Sequence, residues 1–228
     1  MWIIFCFFAF KVLNMPFKQE SIQLKAISIH LLKFEAFNPL NYLDHLSAIE
    51  TERFYTIKSP LKQQEFVATR ILRDRIFGHY HIHYNEHGAP YIKDKQFLSI
   101  SHSRNTVGIA VCADFQIGFD IEFISGKAKK VNTKFINSKE LDAFDLQSEF
   151  ETTMLWSAKE TLYKLANRTG IDFKTELIIE PAKENLLIGK IIQTNGHDLV
   201  EIYTFVHQDY IITVNHSKIV HVINPIQH

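Results

Sequence analysis

Three observations predict an α+β fold of mixed helix and antiparallel sheet. Segments 61–77 and 150–166 carry apolar residues at helical spacing. Short apolar runs pair as hairpins would: Phe97–Ile100 leads into Ser101-His102-Ser103 and is followed by Val107–Ala113, and Leu186–Gln193 precedes Leu199–Val206 across Asn195-Gly196. After Gly118 the order of strand, helices and strands begins again, with no low-complexity linker between the halves.

In chain order, Ser21 to Phe34 alternates well enough for a strand, and Asn41 to Ile57 reads as a helix. Ser59-Pro60 has the order of an N-cap with proline at the first helical position, opening a helix that Gly78 ends. On that helix Phe66, Val67, Ile71, Leu72 and Ile76 face inward, leaving Arg70, Arg73 and Arg75 more exposed. His79, His81 and His83 alternate with apolar and aromatic residues as on a strand. With no cysteine or fourth ligand nearby, a solvated face is a better reading of them than zinc. Beyond Gly118 come a strand to Phe123, helices at Ser138–Ala143 and Phe150–Ala166, and strands at Leu177–Glu180, Leu186–Gln193, Leu199–Val206 and Tyr210–Val214. Lys218–Ile223 is a candidate edge.

The 228 residues make one large domain or two small ones, and 46% hydrophobic with 22% charged residues suits a globular core. Lys plus Arg and Asp plus Glu balance at 25 each, so no global field draws the chain to nucleic acid. Cys6 and Cys112 form no CxxC pair, which fits a reducing, cytoplasmic setting. Met1 to Phe10 is almost wholly apolar. It has no basic n-region or cleavage site of a signal peptide and is too short for a membrane helix, so residues 1–14 are expected to be an extension before a native start at Met15.

The chemistry concentrates in two stretches. On a strand, Asp120 and Glu122 of Gly118-Phe119-Asp120-Ile121-Glu122 share one face; on a helix, Glu160 and Lys164 share another. Three carboxylates beside a lysine suit a hard divalent cation such as Mg²⁺ and hence phosphate chemistry. Taken singly, D-x-E is an ordinary exposed strand face and Glu160/Lys164 an ordinary surface pair.

Ser101-His102-Ser103, then Asp120-Ile121-Glu122, then Trp156-x-x-Lys159-Glu160-x-x-x-Lys164, in this order, resemble the 4'-phosphopantetheinyl transferase superfamily. The stretch Lys134-Phe135-Ile136 with Glu140, the pair Arg70 and Arg73, and Gly88-Ala89-Pro90 are similar to further family elements, so the resemblance covers roughly residues 53–170. The length resembles the larger, surfactin-synthetase-activating group. The resemblance implies two similar subdomains related by a pseudo-twofold, residues 15–117 and 118–228, in a chain with little need to oligomerise. It implies transfer of phosphopantetheine from coenzyme A to a serine of an acyl or peptidyl carrier protein in fatty-acid, polyketide or nonribosomal-peptide assembly. Asp120, Glu122 and Glu160 would hold Mg²⁺; Glu160 and Lys164 would be catalytic, with Glu140 accessory. Arg53, Arg70, Arg73, Ser101, His102 and Ser103 would contact coenzyme A. Ala89 stands where family members carry a lysine or arginine, a loss that Lys93 or Lys95 could make good. The basic run Lys127, Lys129, Lys130 to Lys134 would dock an acidic carrier.

A Mg²⁺ nuclease is the runner-up, but such sites want Glu and Lys two apart on a strand rather than four apart on a helix. A hydrolase built on Ser101, His102 and Asp120 fails because adjacent strand residues face opposite ways. A catalytically impaired coenzyme A-binding homologue is the third alternative.

Overall fold

The computed structural model describes residues 16–93 and 96–223. Residues 1–15, which hold the expected extension and Met15, and also Lys95 lie outside them. The chain opens with a hairpin, β1 (Phe17–Leu24) and β2 (Ile27–Phe34). The single strand expected over Ser21–Phe34 is thus cut at Lys25, whose φ of 52° turns the chain back. Apolar alternation continued across the turn and concealed it.

A 3₁₀ segment (Pro39–His45) and α1 (Ala48–Thr56) replace the one helix expected over Asn41–Ile57. Leu46 ends the first, and Ser47 starts the second, forming a capping box with Glu50. α2 (Pro60–Phe77) begins under the Ser59 cap and stops at Gly78, whose φ is 72°. The histidine stretch yields only β3 (His83–Tyr84), paired with β4 (Pro90–Tyr91), and His79, His81 and His83 are all exposed. β5 (Phe97–Ser103) and β6 (Thr106–Cys112) form the expected hairpin. Then come β7 (Phe119–Phe123), α3 (Lys127–Lys130), α4 (Ser138–Ala143) and α5 (Glu149–Ala166). The start of the lysine run, Lys127–Lys130, forms the short helix α3. β8 (Leu177–Lys183), β9 (Leu186–Gln193), β10 (Gly196–His207), β11 (Tyr210–Asn215) and β12 (Val220–Ile223) complete the chain.

The α+β expectation holds: the strands pair antiparallel, in the orders β1-β2-β6-β5 and β7-β11-β10-β9-β8, with β12 on β10. The apolar faces stack these sheets between the two long helices. Val67, Ile71 and Leu72 of α2 pack on Leu32, Phe34, Val107 and Ile109. On the reverse of that sheet, Ile27, Ile29, Leu31 and Ala110 meet Phe119, Ile121, Ile212 and Val214 of the second. The second sheet's far face carries Leu177, Ile191, Ile202 and Ile211 against Leu155, Ala158 and Leu162 of α5. Period two along β7 therefore sends its odd residues between the sheets and leaves Asp120 and Glu122 toward α5. Among the described residues no helix is long and apolar enough to cross a membrane.

Gly118 lets β7 start directly against α5. A Cβ there would lie 2.5 Å from the Thr161 carbonyl oxygen and 2.7 Å from Leu165 Cγ. Gly118→Ala should lower stability by about 1–3 kcal/mol in denaturant unfolding, because helix and strand must separate.

Candidate active site

α5 and β7 bring the acids together. Asp120 is buried and bonded at both oxygens: Oδ1 accepts from Ser101 Oγ (2.7 Å) and Lys164 Nζ (2.9 Å), and Oδ2 from Ser157 Oγ (2.8 Å). Lys164 Nζ also donates to the Phe119 carbonyl at 2.8 Å. Glu122 accepts from Ser103 Oγ (2.9 Å) and from Trp156 Nε1 (3.0 Å). Trp156 is itself wedged between Phe135 and Phe173. Behind Asp120, Ser157, Thr161 and Thr213 join hydroxyls at 2.8–2.9 Å in the sheet–helix interface.

Glu160 stands apart, with no hydrogen-bond or ion-pair partner among the described residues. Burial, then the charge of Asp120, push its carboxyl up to about 7 from an ordinary 4.5; Lys164 opposes and Glu122 adds to the rise. Glu122 is raised by the same burial and by Asp120, against the bonds from Ser103 and Trp156. The site therefore carries more negative charge than its one lysine compensates. Three carboxylates with lone pairs to spare are the donor set of a hard cation, and in their chemistry they fit Mg²⁺. As they stand, no three His, Cys, Asp or Glu side chains among the described residues are grouped closely enough to hold a metal ion, and the Lys164 ammonium occupies Asp120 Oδ1.

Two cavities flank this cluster, and His102 lines both. One, of about 810 Å³, is walled by Tyr84, Ala89, Tyr91, Lys93, Glu160, Lys164 and Arg168. The other, of about 540 Å³, is lined by Lys62, Arg104, Glu122, Lys127, Val131 and Trp156. His102 points away from its serine neighbours: Nε2 lies 2.8 Å from Lys62 Nζ and 3.1 Å from Glu65 Oε2, and Lys62 and Glu65 are 2.8 Å apart. Burial pushes the Glu65 carboxyl up, but His102 and Lys62 outweigh it and hold the group below its usual value.

Several expected roles are corrected. Arg70 and Arg73 are only 3% and 2% exposed. Arg73 Nη1 donates to both Glu50 oxygens (2.9 and 3.0 Å) and Nη2 to the His45 carbonyl (2.6 Å), while Arg70 Nε donates to Glu50 Oε1 (3.0 Å). These arginines tie α1 to α2 and line neither cavity, because a buried carboxylate in the capping box claims them first. Arg53 is exposed but lies over the Tyr84 ring, 4.8 Å from its centre, outside the cavity that Tyr84 lines. Ser101 and Ser103 spend their hydroxyls on Asp120 and Glu122 rather than on an open phosphate site. Glu140 is 1% exposed and 2.8 Å from the equally buried Lys159, whose ammonium also reaches the carbonyls of Phe135 and Phe173. The other Glu140 oxygen accepts the Ile179 amide, so this carboxylate is built into the core and lines neither cavity.

Lys62, Glu65, Ser157 and Arg168 were missed. Only tertiary folding brings Lys62 to His102, forty positions on; Ser157 was in view inside the Trp156–Lys159 signature, as a small polar residue on a buried helix face.

Residues 116–215 match the family model of the 4'-phosphopantetheinyl transferase superfamily. This segment, a little under half of the chain, is similar to that superfamily, whose class of activity is phosphopantetheine transfer. A search of curated proteins found no match.

The Glu160 environment makes a prediction for the metal-free protein. Its folded pKa lies above its unfolded one, so it destabilises the fold increasingly as pH rises from 4.5 toward 7 and by a constant amount above. In EDTA, Glu160→Gln should be more stable than the parent by about 1–2 kcal/mol at pH 8 and no more stable at pH 4. Thermal unfolding across that range checks it.

Proposed function

We propose that the protein transfers the 4'-phosphopantetheine arm of coenzyme A to a serine hydroxyl of an apo acyl or peptidyl carrier protein, with Mg²⁺ held by Asp120, Glu122 and Glu160. The observation that carries this is the gathering of three carboxylates and Lys164 between two cavities that meet at His102, within the matched segment. Bound Mg²⁺ would supply charge neutralisation at the pyrophosphate oxygens.

Coenzyme A suits the larger cavity, where Tyr84 and Tyr91 offer ring faces and Lys93, Arg168 and His102 offer cationic or donor groups for phosphate. Lys62, beside His102, places a cation from α2 on the side of the smaller cavity. The carrier serine comes from the side of the smaller cavity. Its oxygen bonds to the phosphorus on the pantetheine side as the phosphorus–oxygen bond to 3',5'-ADP breaks. Glu160, which lines the coenzyme A cavity, accepts the serine proton, directly or through a water. Lys164, anchored on Asp120 and the Phe119 carbonyl, offsets the charge of the departing phosphate. Lys127 lines the smaller cavity, and with exposed Lys130 and with Lys129, held by the Gln147 carbonyl, on the same short helix it forms the surface that attracts an acidic carrier.

Incubation with coenzyme A, Mg²⁺ and an apo carrier should raise the carrier's mass by one phosphopantetheine arm. Asp120→Ala and Glu160→Ala should each abolish the gain while remaining folded by circular dichroism. No gain across carriers from several assembly systems would sink the transferase reading. Replacing Lys127 and Lys130 together by Glu should raise KM for the carrier about tenfold and leave KM for coenzyme A unchanged; an equal rise in both would refute the docking surface.

A further inference from the structure

β5 carries serine at 99, 101 and 103, so the three hydroxyls project from one face. That face meets β7, the edge strand of its sheet. Each hydroxyl oxygen accepts one outward amide: Phe119 N to Ser99 (3.1 Å), Ile121 N to Ser101 (3.3 Å) and Phe123 N to Ser103 (3.0 Å). A hydroxyl that accepts in this way still has one proton to aim. Ser101 aims it at Asp120 and Ser103 at Glu122, at 2.7 and 2.9 Å. Ser99 has no carboxylate to address and lies 3.5 Å from the Phe119 carbonyl.

The amide fixes where each oxygen sits, and the proton then fixes the carboxylate. Ser157 on Asp120 and Trp156 on Glu122 hold the opposite oxygens. Both acids are thus clamped from two sides. We infer that Ser101 and Ser103 are positioning residues that orient Asp120 and Glu122 for the divalent cation, rather than groups that touch coenzyme A. This rests on the Mg²⁺ reading above.

The serine repeat contains its own control. Ser99→Ala, Ser101→Ala and Ser103→Ala each remove one amide acceptor, but only the last two release a carboxylate. Calorimetric titration of Mg²⁺ into the metal-free variants should show Ser101→Ala and Ser103→Ala weakened about tenfold or more, as when partners of metal ligands are removed. Ser99→Ala should bind as the parent does, and Ser103→Thr, which keeps the hydroxyl, should recover most of the affinity. Coenzyme A binding in EDTA should change less than twofold in all four. Ser103 is less buried than Ser101, so Ser103→Ala keeps the comparison readable if Ser101→Ala does not fold.

Unchanged Mg²⁺ affinity in the two variants, an equal loss in Ser99→Ala, or a loss of coenzyme A affinity in EDTA would each overturn the positioning role while the parent still binds Mg²⁺. A parent that binds no Mg²⁺ at millimolar concentration would instead remove the metal reading, and this inference with it.

Discussion

The seam between β5 and β7 is the constraint on which the site depends. Both are edge strands, one from each sheet, and β7 would otherwise bury three unpaired amides, each costing about 1–3 kcal/mol. A further backbone ladder would have merged the two sheets and left no hydroxyls at the joint. Serine side chains satisfy the amides at a wider spacing, so the strands stay in separate sheets that stack face to face around Phe119 and Ile121. The same spacing leaves side-chain room for Asp120 and Glu122 beside the joint. Gly108 permits the close approach, since a Cβ there would stand 2.7 Å from the Phe119 ring.

Charge is handled in two opposite ways within this small fold. Glu50 with Arg70 and Arg73, and Glu140 with Lys159, are closed pairs in which each partner is buried and the carboxylate is satisfied by more than one donor. Glu50 shows the result: burial pushes its carboxyl up, but the Ser47 amide and the two arginines outweigh that and hold it below its usual value. The Asp120 cluster is open. Its lysine is shared with a backbone carbonyl, two acids are pushed up by burial and by the charge of Asp120, and Glu160 is left without a partner among the described residues. Closed pairs hold helices together, whereas an undercompensated cluster beside a cavity has a need that a ligand can meet.

Local chemistry made much of this legible. The Ser59-Pro60 start and Gly78 stop of α2, the β5–β6 hairpin, α4 and the whole run from β8 to β11 follow from caps, turn residues and period alone. The pairing of Asp120 and Glu122 on one face, and of Glu160 with Lys164, came from the same rules. What failed needed partners that sequence spacing does not reveal. The arginines of α2 looked exposed because charge on a helix usually is, yet Glu50 lies waiting twenty and twenty-three residues earlier. The β1–β2 turn was invisible because Lys25 and Ala26 are neither glycine nor asparagine. Ser101 and Ser103 were noticed as short hydroxyls near phosphate chemistry, and spacing alone did not show that their hydroxyls bond to Asp120 and Glu122.

His102 shows why the strand in that signature matters beyond its serines. Alternation along β5 sends residues 101 and 103 to the carboxylates and 102 to the opposite side, where Lys62 and the buried Glu65 from α2 hold it at the rim of both cavities. A transfer between two large substrates requires that they approach from different directions and meet at one phosphorus. A single strand that fixes the acids with one face and a basic pair with the other sets those two directions in one rigid element. Neither the second sheet nor α2 could do so alone, since the acids come from one and Lys62 from the other. The geometry of the site is therefore a property of the joint between the halves, and a change that slid β5 along β7 would move both faces at once.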